Sequence, residues 1–333
     1  MSDFSPPISD IRFLIHDVIG LDTVTNLPPF GETSPDLVDA ILEEAGKFAS
    51  SVLAPLNRTG DQEGARLLED GTVRTPNGWK EAYAQFCEGG WQGISAPENE
   101  GGMGLPILLG AAVAEMWQAS NMAFALCPML TAGAIEALSA HGTPAQRELY
   151  LSRLVSGEWT GTMNLTEPQA GSDLSKVRST AIRQDDGTYA ISGQKIFITY
   201  GDHEMTDNIV HLVLARTPDA PAGVKGISLF IVPKYLVSDS GDIGARNDVT
   251  CVSLEHKLGI HASPTAVLQF GDKGGATGHL VGEEGKGLAY MFTMMNNARL
   301  AVGQQGVAIS ERAYQQALEY AATRKQGRDS KTG

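Results

Sequence analysis

The chain has 333 residues, 42% of them hydrophobic, so it is long enough for two or three domains and can bury a sizeable core. Its formal net charge of −14 argues against a nucleic-acid-binding surface and is typical of acidic side chains that maintain solubility. Three widely separated cysteines without a paired spacing predict neither a disulfide framework nor a zinc site, and they favour a reducing, cytoplasmic compartment. We predict no signal peptide and no membrane span, because no basic segment precedes an apolar run and the most apolar region, 104–114, is too short.

Helical periodicity dominates the first part of the chain. Ile11 to Ile19 predict a short helix in an N-terminal extension over 1–33, and Ser34-Pro35 predicts the capped start of a stronger helix. The polar stretch 57–71 predicts a surface loop, and Thr143-Pro144 predicts the start of a further helix. Together with two long apolar helices over 106–126 and 129–141, these segments predict an α-helical domain over 34–158.

From Trp159 the pattern changes to short segments rich in β-branched residues, separated by Gly, Asp, Asn and Pro. Asp185-Asp186-Gly187 predicts a hairpin turn. These features predict a β domain over 159–282, either a small barrel or a sandwich. The predicted strands are 189–191, 195–199, 209–215, 227–232, 249–254 and 265–270.

After Gly282 two amphipathic helical runs follow, and they need partners to bury their apolar stripes. We therefore expect 283–333 to be the incomplete beginning of a C-terminal helical domain in a truncated chain. The predicted fold class is α+β multidomain: an N-terminal helical domain, a middle β-barrel or sandwich, and the start of a C-terminal helical bundle.

Two short stretches carry the candidate site, residues 163–173 and the later Phe197-Ile198-Thr199. Ala170-Gly171 allows a backbone to approach a ligand closely, and the hydroxyls of Thr166 and Ser172 have no obvious internal partner. A flavin would use such groups, because donors fixed in advance stabilise the negative charge that develops when it accepts a hydride.

The string Thr-Glu-Pro-x-Ala-Gly-Ser-Asp at 166–173, followed by the aromatic-Ile-Thr at 197–199, resembles the flavin loop pair of the acyl-CoA dehydrogenase family. The resemblance extends from about residue 34 to residue 327 and includes the strings 94–104, 192–195, 257–265 and 282–288. It implies FAD-dependent α,β-dehydrogenation of an acyl-CoA thioester with hydride transfer to flavin N5. The strings 12–14, 198–208 and 294–299 are similar to the branch that acts on 3-(methylthio)propanoyl-CoA in dimethylsulfoniopropionate breakdown.

The family pattern implies a role for each matching residue. Met163, Leu165 and Thr166 are expected to contact the pyrimidine side of the flavin, and Phe197, Ile198 and Thr199 are expected against its ring and at N5. Phe197 stands where many relatives carry tryptophan. Ser172 is expected at CoA or the flavin phosphates, and Arg324 at the flavin pyrophosphate of a neighbouring subunit. The expected substrate-binding residues are Ser172, Asn296 and Arg299.

The family's catalytic glutamate stands either just before Arg299, where this chain has Ala298, or in the C-terminal helical domain. We therefore predict no catalytic base in the chain. The implied partners are an acyl-CoA substrate, an electron-transfer flavoprotein and further copies of the chain. Two alternatives stay open: a non-catalytic acyl-CoA-dehydrogenase-like binding protein and an acyl-CoA oxidase.

Several of these residues also have plainer interpretations. Thr199 has the β-branched shape of an ordinary strand residue, and Arg324 suits a solvated helix end. Glu167 precedes a proline, which favours a turn or cap role over that of a base. The acidic segment 202–207 predicts a solvated loop rather than a metal site, and the Gly-rich stretch 91–104 predicts a structural turn rather than a phosphate cradle.

Overall fold

The computed structural model describes residues 4–328 and 330–332. Residues 1–3 of the predicted extension, and residues 329 and 333 of the predicted C-terminal segment, lie outside this description. The helices are α1 Ile8–Phe13, α2 Asp22–Thr25, α3 Pro35–Phe48, α4 Ala54–Glu63, α5 Trp79–Glu88, α6 Ile107–His141, α7 Pro144–Val155 and α8 Gly287–Thr323, with π-helical turns at Leu14–Ile19 and Ala49–Leu53.

The two predicted helix starts are confirmed by their capping contacts. The Ser34 hydroxyl accepts a hydrogen bond from the backbone N–H of Leu37 at 3.2 Å, and Pro35 occupies the first turn of α3. Thr143 and Gln146 form a reciprocal capping box, in which each side chain accepts the other residue's backbone N–H.

Two helix predictions were wrong. The expected loop over 57–71 contains most of α4, because Gly60 lets this helix approach the buried ring of Trp79. The expected break near residue 127 lies instead at Asn121, whose φ of −154° and ψ of 86° interrupt α6. The Asn121 side chain accepts the Phe124 N–H and donates to the Leu53 carbonyl, so it caps the second half of the helix.

By length and composition α6 is apolar enough to cross a membrane, although 67% of its apolar window is buried within the structure. This burial fits a core helix.

The predicted strands are present, but several strands were missed and two predicted ones are a single strand, β5. The predicted hairpin turn is confirmed, since it joins β4 to β5. The strands are β1 Arg66–Leu67, β2 Val73–Arg74, β3 Trp159–Asn164, β4 Thr180–Arg183, β5 Tyr189–Thr199, β6 Asn208–Arg216, β7 Ile227–Pro233, β8 Tyr235–Val237, β9 Ile243–Arg246, β10 Val249–Leu254, β11 Thr265–Phe270 and β12 Ala276–Leu280.

The main sheet closes on itself. Neighbouring strands run β10-β11-β5-β12-β7-β6-β3, and β4 pairs with both β5 and β6. Strands β5, β12, β7, β6 and β4 therefore form a ring, which makes the β domain a barrel rather than an open sandwich. The fold class is thus confirmed: helices, a barrel, then the helix α8.

Helix α6 connects the helical part to the barrel. Gly161 of β3 lies against Ala134 of α6, and its N–H donates to the Thr131 hydroxyl at 3.1 Å. The side chains of Met291 and Met294 on α8 are buried in the same hydrophobic cluster as β3, α6 and α7. This packing places the ends of β3 and β5 beside the helices.

Candidate functional site

The two predicted loops lie together at the ends of β3 and β5. After Asn164 the chain leaves β3 and makes a tight turn, in which Glu167 and Ala170 exchange backbone hydrogen bonds of 2.8 and 2.9 Å. The N–H of Ile196 in β5 donates to the Thr166 carbonyl at 2.9 Å. The residues on either side of this bond, Thr166 and Phe197 to Thr199, are therefore brought close together.

Three hydroxyls in these loops are available to a ligand. Thr166 and Thr199 are half-buried and Ser172 is exposed. None of the three side chains makes a hydrogen bond within the part of the chain that the structure describes. Half-buried donors without a partner suit a polar ligand that supplies the missing acceptors.

Phe197 has the most unusual backbone of the site. Its φ is +61°, in the left-handed region, and the residue is 59% exposed. The register between β5 and β11 shifts at this point, so two residues of β5 lie opposite Val267. A bulky residue held in this conformation costs free energy, and such residues concentrate at ligand sites.

These features fit a flavin. The unpaired Thr166 and Thr199 hydroxyls can serve the polar edge of its ring system, and the exposed Phe197 ring offers a flat apolar surface. The expected close approach at Gly171 is not required within the chain, since its φ is not positive and an added Cβ would lie 3.7 Å from the Thr166 methyl group, an ordinary contact. Leu165 and Ile198 are buried beneath the loops, and Met163 is half-buried.

Glu167 has a structural role in this arrangement. It lies in the turn predicted for it, is 3% exposed, and forms an ion pair of 2.7 Å with Lys195. Its carboxylate also accepts hydrogen bonds from the Ser179 hydroxyl and the Arg178 N–H, both at 2.7 Å. With its oxygens committed to these partners, it is not placed to act as a base.

The acidic segment after β5 is not the solvated loop that we expected. Asp202 is 4% exposed and His203 is 1% exposed. Asp202 pairs with Lys234 at 2.6 Å, and Glu204 accepts hydrogen bonds from the backbone and side chain of Thr75. These contacts tie the segment to β7, β8 and the β2 hairpin, which explains its burial.

Three predicted residues lie outside the loop pair. Arg299 is exposed on α8, donates to the Asn296 side chain at 3.1 Å and lies over the Phe292 ring. Arg324 follows the end of α8 and lies over the ring of Tyr320. No hydrogen bond or ion pair joins these residues to the loops within 4–328 and 330–332, so their assigned roles stay predictions.

Sequence reasoning missed a cleft of about 670 Å³ between α6, α8 and the Gly-rich connection. Its lining is mostly apolar, but Glu136 accepts a hydrogen bond from Asn297 at 2.6 Å, and burial raises the pKa of Glu136. A carboxylate within the apolar predicted helix 129–141 was the available signal. Residues from α5, the Gly-rich connection, α6 and α8 line the cleft, among them Trp91, Trp117, Met129, Glu136, Asn297 and Gln304.

The fold agrees with comparisons to known proteins. Residues 36–158 match the family model "Acyl-CoA dehydrogenase, N-terminal domain", and residues 162–273 match "Acyl-CoA dehydrogenase, middle domain". The chain belongs to the acyl-CoA dehydrogenase family.

The chain is also similar to individual relatives. It is 57% identical over 325 residues to 3-methylmercaptopropionyl-CoA dehydrogenase of Ruegeria pomeroyi, a match that covers 98% of this chain and 55% of that protein. Among solved structures, butyryl-CoA dehydrogenase of Megasphaera elsdenii superposes with a TM-score of 0.73 at 28% identity, covering 88% of this chain and 71% of that chain. An acyl-CoA dehydrogenase complexed with FAD from Bacillus anthracis gives a TM-score of 0.71 at 26% identity, covering 90% of this chain and 46% of that one. The chain spans about half the length of the curated relatives it matches.

Proposed function

We propose that this chain carries the flavin-binding part of an FAD-dependent acyl-CoA dehydrogenase. The observation that supports this most strongly is the hydrogen bond from Ile196 to the Thr166 carbonyl, at 2.9 Å. It joins two loops whose threonine hydroxyls have no partner in the described part of the chain. The family membership and the relative crystallised with FAD support the same cofactor.

FAD, when bound, supplies the two-electron acceptor for a hydride from the β-carbon of the acyl group. Met163, Leu165 and Thr166 would hold its pyrimidine side, and Thr199 would donate toward N5. Phe197 and Ile198 would lie against the ring, and Ser172 would reach CoA or the flavin phosphates. Because Thr199 ends β5 and Thr166 is bonded to β5 through Ile196, their hydroxyls can stabilise developing negative charge without reorganisation.

The proposed substrate is an acyl-CoA thioester, and 3-(methylthio)propanoyl-CoA is the specific candidate. The 57% identity to 3-methylmercaptopropionyl-CoA dehydrogenase supports this choice. Asn296 and Arg299 would contact the substrate from α8. We assign no base for the α-proton within this chain, since Ala298 cannot accept one.

The remaining proposals concern partners and location. Reduced flavin would pass its electrons to an electron-transfer flavoprotein in the cytoplasm. Arg324 would contact the flavin pyrophosphate of a neighbouring copy, as cations do with phosphates, so the protein would work as a homo-oligomer.

Purification of the natural full-length protein tests the central proposal. We expect a yellow protein whose visible flavin band bleaches on anaerobic addition of 3-(methylthio)propanoyl-CoA, and less efficiently with butyryl-CoA. A colourless protein, or a flavin that no acyl-CoA bleaches, would favour the non-catalytic binding protein. Oxygen consumption without another acceptor would instead favour the oxidase.

A threonine variant tests the site directly. Thr199→Ala removes a hydrogen-bond donor that is proposed to stabilise the negative charge developing on the flavin. The substitution should therefore lower the rate of flavin bleaching about ten- to hundredfold in stopped-flow measurements. Thr180→Ala, at an exposed position on β4, is the matched control and should leave the rate unchanged. Equal rates for the two variants would remove Thr199 from the mechanism.

A further inference from the structure

A buried ion pair lies directly under the two loops. The Lys195 ammonium and the Glu167 carboxylate are 2.7 Å apart, and their side chains are 0% and 3% exposed. Lys195 comes from β5, immediately before Ile196, and Glu167 comes from the turn after β3. The pair therefore crosses between the same two chain segments that carry the candidate cofactor contacts.

The Lys195 ammonium holds the first loop at two points. In addition to Glu167, it donates to the Leu165 carbonyl at 3.2 Å. The next residue of β5, Ile196, holds the Thr166 carbonyl through its N–H. Three consecutive loop residues, 165 to 167, are thus attached to two consecutive residues of β5.

The Glu167 carboxylate attaches a third segment, the start of β4. Oε1 accepts from the Ser179 hydroxyl at 2.7 Å and from the Ser179 N–H at 3.1 Å, while Oε2 accepts from the Arg178 N–H at 2.7 Å. The amide of Gln169 also donates to Oε2, within the turn itself. A carboxylate with this many donors is fixed in position and orientation.

Stability alone is a weak reason for such a pair. Removing two charges from water costs free energy, and well-packed apolar residues of similar volume often serve equally well. Burial lowers the pKa of Lys195 to about 8, a shift that the attraction of Glu167 opposes. For Glu167, burial raises the pKa, but Lys195 and the hydrogen bonds to Ser179 and Arg178 outweigh it, so the pKa lies below its usual value. The pair fixes the position of the first loop relative to β5, next to the point near Phe197 where the register between β5 and β11 shifts.

We propose that Glu167 and Lys195 are positioning residues, which hold the hydroxyls of Thr166 and Thr199 at the spacing that the flavin requires. This inference rests on the proposed function, because it concerns the same cofactor. Neither residue needs to touch the cofactor: Lys195 acts through Leu165 and Ile196, and Glu167 acts through the turn that follows Thr166.

The test uses three variants of the natural full-length protein: Lys195→Met, Glu167→Gln, and the two together. Glu167→Gln keeps the side-chain volume and one acceptor oxygen, which makes it the variant most certain to fold. The readouts are the Kd of the apoprotein for FAD by fluorescence titration, the visible spectrum of the bound flavin, and the unfolding midpoint in urea.

We expect each single variant to raise the Kd for FAD about ten- to hundredfold and to shift the flavin absorption bands, as loss of supporting contacts around a bound group does. The double variant should recover part of the lost stability, because it leaves no unpaired buried charge. It should nevertheless retain the weak FAD binding and the altered spectrum, since the bond from Lys195 to the Leu165 carbonyl and the bond from the Arg178 N–H to the second carboxylate oxygen are still missing. This separation of stability from cofactor binding is the result that a purely structural pair would not produce.

Val232→Ala is the matched control. Val232 is fully buried in β7, which pairs with β6 and β12 and not with β3 or β5. The smaller alanine side chain should lower the unfolding midpoint, while the Kd for FAD stays within about twofold of the wild type.

Two failures are distinguishable. If the wild-type protein binds no FAD, the proposed function is wrong and this inference falls with it. If the wild type binds FAD and the double variant regains both its affinity and its spectrum, the proposed function stands and the positioning role is wrong.

Discussion

At the scale of single residues, the site places an aromatic side chain in a backbone conformation that suits glycine. Phe197 has a φ of +61° while the residue is 59% exposed, so little burial offsets the strain within the chain. A bound cofactor stacked against the ring would provide the missing compensation.

Phe197→Gly should separate strain from binding. Glycine adopts a positive φ without penalty, so the apoprotein should gain about 1 kcal/mol in free energy of unfolding. Loss of the ring should at the same time weaken FAD binding in a fluorescence titration. Phe197→Leu keeps the Cβ and its strain, so it should lose affinity without gaining stability. An apoprotein destabilised by Phe197→Gly would contradict the strain argument.

A second residue-scale feature is a pair of buried histidines in the barrel. His211 Nδ1 lies 2.7 Å from the Thr162 hydroxyl, and His203 Nε2 lies 3.0 Å from the Thr160 hydroxyl. His203 Nδ1 accepts the Met205 N–H, which leaves Nε2 as the protonated nitrogen. Burial, with the nearby cations Lys234 and Arg246, lowers the pKa of His211 from 6.5 to about 3, and burial also lowers the pKa of His203.

These shifts predict a loss of stability in acid. The unfolded chain binds a proton at His211 below pH 6.5, whereas the folded chain does so only near pH 3. The contribution of His211 to stability is therefore complete above pH 6.5 and is lost as the pH falls toward 3, by up to about 1.4 kcal/mol per pH unit. Urea unfolding across this range should show a shallower pH dependence for His211→Gln than for the wild type. As a control, His256→Gln at an exposed position should show the same pH dependence of stability as the wild type. A slope of stability against pH that His211→Gln leaves unchanged would contradict the prediction.

At the scale of elements, the contact between β3 and α6 determines where the first loop begins. An added Cβ at Gly161 would lie 2.4 Å from the Ala134 Cβ, closer than two carbon atoms can pack. Strand β3 can therefore lie this close to the helix only with glycine at this position.

Gly161→Ala should push β3 away from α6 and lower the free energy of unfolding by about 1–3 kcal/mol. It should also weaken FAD binding, because β3 leads into the loop that carries Thr166. Gly259→Ala is the matched control, since an added Cβ there meets nothing within 4 Å. Equal urea midpoints for the two variants would show that the contact between β3 and α6 relaxes freely.

The elements also show what the sequence could and could not predict. The caps of α3 and α7 were predictable because Ser34-Pro35 and Thr143-Pro144 act locally. The end of the first half of α6 could not be predicted, because the Asn121 side chain, which lies at the interruption, donates a hydrogen bond to the distant Leu53 carbonyl. Strand β3 was missed because it is buried along most of its length between β6 and α6, which removes the alternation of a half-exposed strand.

At the scale of the whole molecule, the loop pair was predictable and the cleft was not. Each loop is a contiguous string with a recognisable composition, so residues such as Thr166 and Thr199 stand out in the sequence. The cleft depends on how closely α8 approaches α6, and no local pattern encodes this distance. Its polar pair, Glu136 and Asn297, lies 161 residues apart along the chain, which explains why the pair was missed.

Leu165 and Lys195, which a hydrogen bond joins, are separated by 30 positions in the sequence. During synthesis, the first loop leaves the ribosome well before the strand that fixes it. The nascent polypeptide therefore has no complete pocket until translation has passed Thr199 and the segments have docked. FAD would accordingly bind only after both segments have been synthesised and joined.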